Sequence, residues 1–154
     1  MKAILFISRY FKYLFTAKSK YSAQAPFLYD FITKVVNQNS DDENCKNIES
    51  LRKELCKSED TIKITDFGAG SHVNNNKTRK IKDVAKNSAK NAKFGKLLYR
   101  IIQFYKPNNI LELGTSLGIS SLYLAKANQN SQVFTFEGCP ETANIAEQNF
   151  KKLN

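Results

Sequence analysis

The chain has 154 residues, a length that fits about one domain, and is 42% hydrophobic, 12% aromatic and 25% charged. That balance argues against a wholly disordered chain, and the sequence has no apolar run long enough for a membrane-spanning helix. Twenty-four Lys and Arg against 14 Asp and Glu leave a formal charge of +10, which suits an anionic partner and says little about fold.

The opening Met1 to Ile7 resembles the start of a secretory signal, but Arg9 and Lys12 interrupt its short apolar core and no small-residue cleavage site follows. A cytoplasmic protein is expected. Residues 3–17 read instead as a helix, with Ile4, Ile7, Phe11, Leu14 and Phe15 at helical spacing among Arg9, Lys12 and Lys18. It is read as a packing element or lid, with binding to a membrane interface as the alternative. Pro26 interrupts, and Phe27 to Val36 resumes an apolar helix. Asn37 to Asn44 is a polar loop, and Ile48, Leu51 and Leu55 predict a third helix ending near Lys57. Thr61 to Thr65 alternates as a short strand, and Gly68 to Ser71 and Asn74 to Asn76 carry loop chemistry. Ile81 to Asn91 reads as a basic helix, and Phe94 to Tyr105 as a strongly periodic one that Pro107 ends.

The pattern then changes. Asn109 to Leu113 is a short apolar strand, Gly114 to Gly118 a turn, Ile119 to Ala127 a helix and Gln132 to Phe136 a second strand. Pro140 suits the first turn of a closing helix that buries Ile145, Ala146, Asn149, Phe150 and Leu153. The order β-α-β-α predicts a parallel sheet. Charge divides at the same place: residues 1–106 hold 21 basic and 10 acidic groups, residues 107–154 only 3 and 4. The chain is accordingly divided into a helical amino-terminal cap or lid, residues 1–76, and an α/β part, residues 77–154.

The chemistry is concentrated between Ile110 and Ser121. A strand delivers Glu112 near its carboxyl end, Gly114 and Gly118 allow close backbone approach, and a helix then opens with free N–H groups suited to an anion. Glu137 ends the second strand 23 positions after Gly114, near the offset at which a carboxylate meets ribose hydroxyls in nucleotide-binding βαβ units. A carboxylate suits that task because it accepts from two adjacent hydroxyls. Together these features predict a nucleoside-containing ligand. Thr115 and Ser116 fill the place of the middle glycine that a pyrophosphate would require, which disfavours a dinucleotide.

The pattern Glu112-x-Gly114-x-x-x-Gly118 resembles the first motif of class I S-adenosylmethionine-dependent methyltransferases. Ile110-Leu-Glu-Leu-Gly-Thr-Ser-Leu-Gly-Ile-Ser-Ser121, followed by Glu137 and Pro140, is similar to the branch containing catechol-type O-methyltransferases. The helix from Gly95 to Lys106 before Pro107 fits that branch. Ala25-Pro-Phe-Leu-Tyr29 with Asp66-Phe-Gly-Ala-Gly-Ser71 resembles a bacterial methyltransferase group. The resemblance implies a Rossmann-like methyltransferase fold, a three-layer parallel-sheet architecture, binding S-adenosyl-L-methionine. It places Glu112 and Gly114 beside the methionine portion, Thr115, Ser116 and Gly118 in the binding turn, and Ser120 on the carboxylate. Glu137 falls on the ribose, Gly138 and Cys139 near the adenine edge, and Ser88 to Lys90 along the cofactor's border. The reaction implied is methyl transfer to an oxygen of a small-molecule acceptor. The family's catalytic residues and divalent-metal ligands lie beyond the second strand, so none is assigned here. The expectation is an amino-terminal fragment, incomplete at the carboxyl end, with an unpaired strand edge, an uncovered apolar face and marginal stability.

Other readings stand beside this one. Asp66 to Gly70 is a rival first motif, but no acid-ended strand follows at the required offset, so it reads as a structured loop. His72 in that loop reads as solvated, with general-base use as the alternative. Cys45, Cys56 and Cys139 are odd in number and widely spaced, which argues against a disulfide framework or zinc site. Lys82, Lys86, Lys90 and Lys93 form a basic stripe. It reads as a solvated face or, in the main alternative function, as part of a non-enzymatic nucleic-acid-binding module spanning residues 77–106.

Overall fold

A computed structural model describes residues 2–17, 25–38, 43–65, 78–87 and 91–153. The chain forms two compact units, Met1–Asn39 and Ser40–Asn154. The first contains helix α1 (Lys2–Thr16) and helix α2 (Pro26–Phe31), which widens into a π-helical turn over Ile32–Val36. Pro26 opens α2, where its missing N–H costs nothing, and the Phe27 and Phe31 rings stack at 6.5 Å. No helix among the described residues is long and apolar enough to cross a membrane.

The second unit is α/β. It comprises a 3-10 turn (Glu43–Cys45), α3 (Lys46–Leu55), β1 (Thr61–Lys63), β2 (Thr78–Lys80), α4 (Ile81–Asn87) and α5 (Ala92–Tyr105). Then follow β3 (Asn109–Leu113), α6 (Ile119–Ala127), β4 (Gln132–Phe136) and α7 (Pro140–Leu153). Residues 40–76, grouped with the amino-terminal helices on sequence, here contribute α3 and β1 to the core of the second unit. Ile48, Leu51 and Leu55 of α3 pack with Ile62, with Ile81, Val84 and Ala85 of α4, and with Tyr99, Ile119, Leu122 and Tyr123. A smaller cluster joins Ile102 of α5, Ile110 of β3 and Leu124 of α6, with Leu98 and Val133 against it.

Strand β3 pairs with β4 in parallel, in register from Asn109 opposite Gln132 to Leu113 opposite Phe136. Alternation then divides the side chains between two faces. Ile110, Glu112, Val133 and Thr135 are buried or half-buried on the face that carries α5 and α6. Leu111, Leu113, Phe134 and Phe136 stand on the other, 49–80% exposed, so among the described residues no third layer covers it. Among the described residues, β3 and β4 each have only the other as a pairing partner.

Helix α5 is fixed at both ends. Asn91 accepts from the Phe94 N–H at 3.1 Å, and Lys106 closes the helix in the left-handed conformation before Pro107. Within it, Gly95 lets α5 approach α6 closely. A Cβ there would lie 2.2 Å from Cε2 of Tyr123, a ring that is fully buried and whose hydroxyl donates to Glu49.

The antiparallel pair β1–β2 was not anticipated beyond Thr61–Thr65. Thr78–Lys80 offers no apolar alternation, and its only half-buried residue is Arg79. An acidic clamp secures the junction: Glu59 accepts from Lys80 at 2.7 Å and from Lys82. Those bonds, Lys80 first, hold the Glu59 carboxyl down at about 2 against an ordinary value of 4.5. The native state therefore binds this proton less readily than the unfolded chain. The clamp's contribution is intact above pH 4.5 and lost as pH falls towards 2. It is small because all three groups are on the surface. We expect Glu59→Gln to flatten the acid limb of a pH–melting-temperature profile in that window and to leave neutral-pH stability nearly unchanged. An unchanged acid limb would show that the clamp contributes nothing.

Candidate functional site

The parallel register brings the two strand tips side by side. The backbone continues the pairing beyond them, with the N–H groups of Gly114 and Thr115 donating to the Phe136 carbonyl at 2.8 and 3.1 Å. The turn that follows β3 has positive φ at Gly114 (95°), Ser116 (49°) and Gly118 (79°), which reverses the chain sharply into α6. Helix α7 holds this turn from behind. Asn149 donates to the Leu117 carbonyl at 2.9 Å, and Phe150 packs against Gly118.

The two motif glycines differ in role. A Cβ at Gly114 would meet nothing within 4 Å, so the backbone there borders open space at the strand tips. A Cβ at Gly118 would fall 2.6 Å from the Phe150 ring and 3.2 Å from Ala146, so this glycine is needed for packing against α7. Gly118 also caps α6 with no side-chain hydrogen bond. The cap residue therefore offers the first N–H groups of the helix no side-chain acceptor, and they carry the positive end of its dipole.

Glu137 lies at the tip of β4, and both its oxygens are engaged. Oε2 accepts from the Ser116 N–H at 2.7 Å and Oε1 from the Cys139 N–H at 2.9 Å. One carboxylate thus ties the turn after β3 to the turn before α7. Each oxygen keeps a second lone pair with which it can accept a further hydrogen bond. The Ser116 N–H, by contrast, is already used.

Glu112 faces α6. Its Oε2 accepts from Thr135 Oγ1 at 2.7 Å and from the Ser121 hydroxyl, and Thr115 Oγ1 lies 2.5 Å from Thr135 Oγ1. Thr115 and Ser121 are buried, so these four residues form a polar seam between sheet and helix. The seam lies directly beneath the strand tips. Ser121 rather than Ser120 serves it, and Ser120, half-buried in the first turn of α6, makes no part of it. Gly138 is exposed beside Glu137.

Cys139 is buried between β1 and α7. Thr65 N–H donates to its sulfur at 3.3 Å, and the thiol lies 3.5 Å from the Lys63 carbonyl. Burial alone would push the thiol up. The Thr142 side chain and the N–H groups of Thr65, Thr142 and Glu141 outweigh it and hold the thiol below its ordinary value. Cys45, Cys56 and Cys139 are all free thiols. Among the described residues no three His, Cys, Asp or Glu side chains converge as metal ligands.

A separate groove of about 250 Å³ lies towards the carboxyl end of α6, lined by Asn44, Asn47, Ile48, Leu122, Lys126 and Leu153 among others. It is remote from the α6 amino terminus, where the strand-tip chemistry lies. In the basic region, Lys80 and Lys82 are occupied by Glu59, while Lys86 and Lys93 are exposed. His72, Ser88 to Lys90 and the Asp66 to Ser71 loop lie outside the described residues. Comparison with protein-family models, with curated proteins and with solved structures finds nothing that matches the chain.

Proposed function

We propose that the second unit carries the cofactor end of a class I S-adenosylmethionine-dependent methyltransferase, with β3 and β4 as the first two strands of a Rossmann-like sheet. The observation that carries this reading is the strand-tip pair. Gly114 and Glu137 sit at adjacent ends of parallel strands, with open space over Gly114 and the uncapped start of α6 alongside. The donor set fits the group: a ribose acceptor at Glu137, an amide-rich helix start for a carboxylate, and a glycine where a side chain would intrude.

When bound, the cofactor supplies a methyl group activated by a sulfonium. The chain's own part is positioning. Glu137 orients the ribose, Gly114, Thr115 and Ser116 form the floor, and Ser120 with the α6 amides receives the carboxylate. The seam through Glu112 keeps that floor rigid, and Gly138 leaves the adenine edge unobstructed. The apolar face of Leu111, Leu113, Phe134 and Phe136, exposed among the described residues, suits the second helical layer that such a sheet carries. Resemblance to the catechol-type branch makes the acceptor an oxygen of a small molecule.

Calorimetric titration tests the proposal. We expect saturable binding of S-adenosylhomocysteine, little dependence on salt and no comparable binding of NADH. Binding only to nucleic acid, falling steeply with salt, would instead favour the basic module. Glu59, paired with both Lys80 and Lys82, already offsets one of that module's charges.

A further inference from the structure

Helix α1, in the first unit, presents a surface of its own. On a helical projection, Phe6, Ile7, Tyr10, Phe11, Leu14 and Phe15 share one half of the circumference. Lys2, Ser8, Arg9, Lys12 and Thr16 fall in the other half, which also contains Leu5 and, at its border, Tyr13. The apolar half is not packed away: Ile7, Phe11 and Leu14 at its centre are about half exposed and Phe15 is 88% exposed. Tyr10 and Tyr13 are exposed too, near a boundary between the halves. Residues 1–29 contain five Lys or Arg and no carboxylate, the first acid being Asp30.

We infer that α1 is a membrane-surface helix that lies in the plane of an anionic lipid bilayer. Its 15 residues extend only about 22 Å, short of the roughly 30 Å hydrocarbon core, so it lies on the bilayer and does not span it. The width of the apolar half decides the kind of partner. A helix held in a protein groove reads as a narrow row of anchors, whereas a half-circumference of apolar side chains suits a fluid interface. Phe and Tyr rings at the edge match the headgroup level, and Arg9 and Lys12 remain on the water side facing lipid phosphates.

The test uses the full chain in vesicle flotation, with phosphatidylcholine alone or mixed with phosphatidylglycerol. Flotation with the anionic vesicles only, weakening as salt is raised, is expected. Replacing both Arg9 and Lys12 with Gln should weaken it roughly tenfold to thirtyfold, from about 1 kcal/mol for each charge. Phe11→Glu should abolish it. The chain contains no Trp, so Leu14→Trp gives a single reporter whose emission should shift to the blue on anionic vesicles. The inference is overturned if the chain does not float, or if Phe11→Glu floats like the parent. It is overturned equally if Lys86→Gln with Lys93→Gln removes the binding and the α1 variants do not. Concentration-dependent self-association that needs Phe11, without vesicle binding, would also overturn it by making a second copy the partner.

Discussion

Gly95→Ala lowers the melting temperature of the chain by roughly 2–12 °C. The added methyl falls 2.2–2.6 Å from three atoms of the Tyr123 ring. That ring is enclosed on every side, and its hydroxyl is tethered to Glu49, which also pairs with Arg52 at 3.3 Å. Swinging the ring aside would break the tether, so the helices α5 and α6 must separate. Overpacking of this kind costs about 1–3 kcal/mol, offset by up to about 1 kcal/mol of helix propensity gained on replacing glycine. Each kcal/mol moves the midpoint by roughly 2–4 °C in a chain of this size. Gly95→Val adds bulk and a β-branch and should remove the cooperative melt. Tyr123→Leu should relieve part of the Gly95→Ala penalty, a non-additivity that a double-mutant cycle would read. An alanine variant that melts at or above the parent would contradict this packing.

Glu137→Ala has the largest expected effect on ligand binding. It removes the ribose acceptor and leaves the N–H groups of Ser116 and Cys139 without their carboxylate. Hydrogen bonds to a charged group contribute about 1.5–3 kcal/mol each, so affinity for S-adenosylhomocysteine should fall at least tenfold. Because Glu137 also ties two turns together, stability should fall as well, and a loss of binding alone would be ambiguous. Thr135→Val separates the two effects. It deprives Glu112 and Thr115 of a hydroxyl partner and so weakens the seam beneath the floor while leaving the Glu137 carboxylate in place. A comparable drop in stability with a clearly smaller loss of affinity than Glu137→Ala causes is expected. If Thr135→Val and Glu137→Ala reduce affinity equally, Glu137 acts only as a latch.

The carboxy-terminal third was the most legible part of the sequence. Its strands are short apolar runs bounded by Gly, Pro and Asn, and β3, α6 and β4 have the bounds that pattern predicts. The exposed face of Leu111, Leu113, Phe134 and Phe136 follows from strict alternation in a sheet with helices on one side only. Strand β2 was not legible, because three polar residues acquire strand character only from their partner β1.

Within the site, the residue types were legible and their attachments were not. Glu112 turns towards Ser121 and Thr135, and Glu137 is received by two backbone amides whose direction depends on the signs of φ at Gly114 and Ser116. Gly118 looked like a place for a ligand to approach, yet its neighbour is Phe150, 32 residues on. Contacts that far apart in sequence, like Tyr123 with Glu49, leave no local signature.

The most direct test of the strand-tip site is amide-resolved NMR titration of the chain with S-adenosylhomocysteine. Saturable shifts concentrated at Gly114, Ser116, Ser120, Glu137 and Gly138, with the basic helices α4 and α5 unmoved, are the result this account predicts. A folded chain whose strand-tip amides do not move at saturating ligand, or whose shifts fall only on α4 and α5, would contradict it.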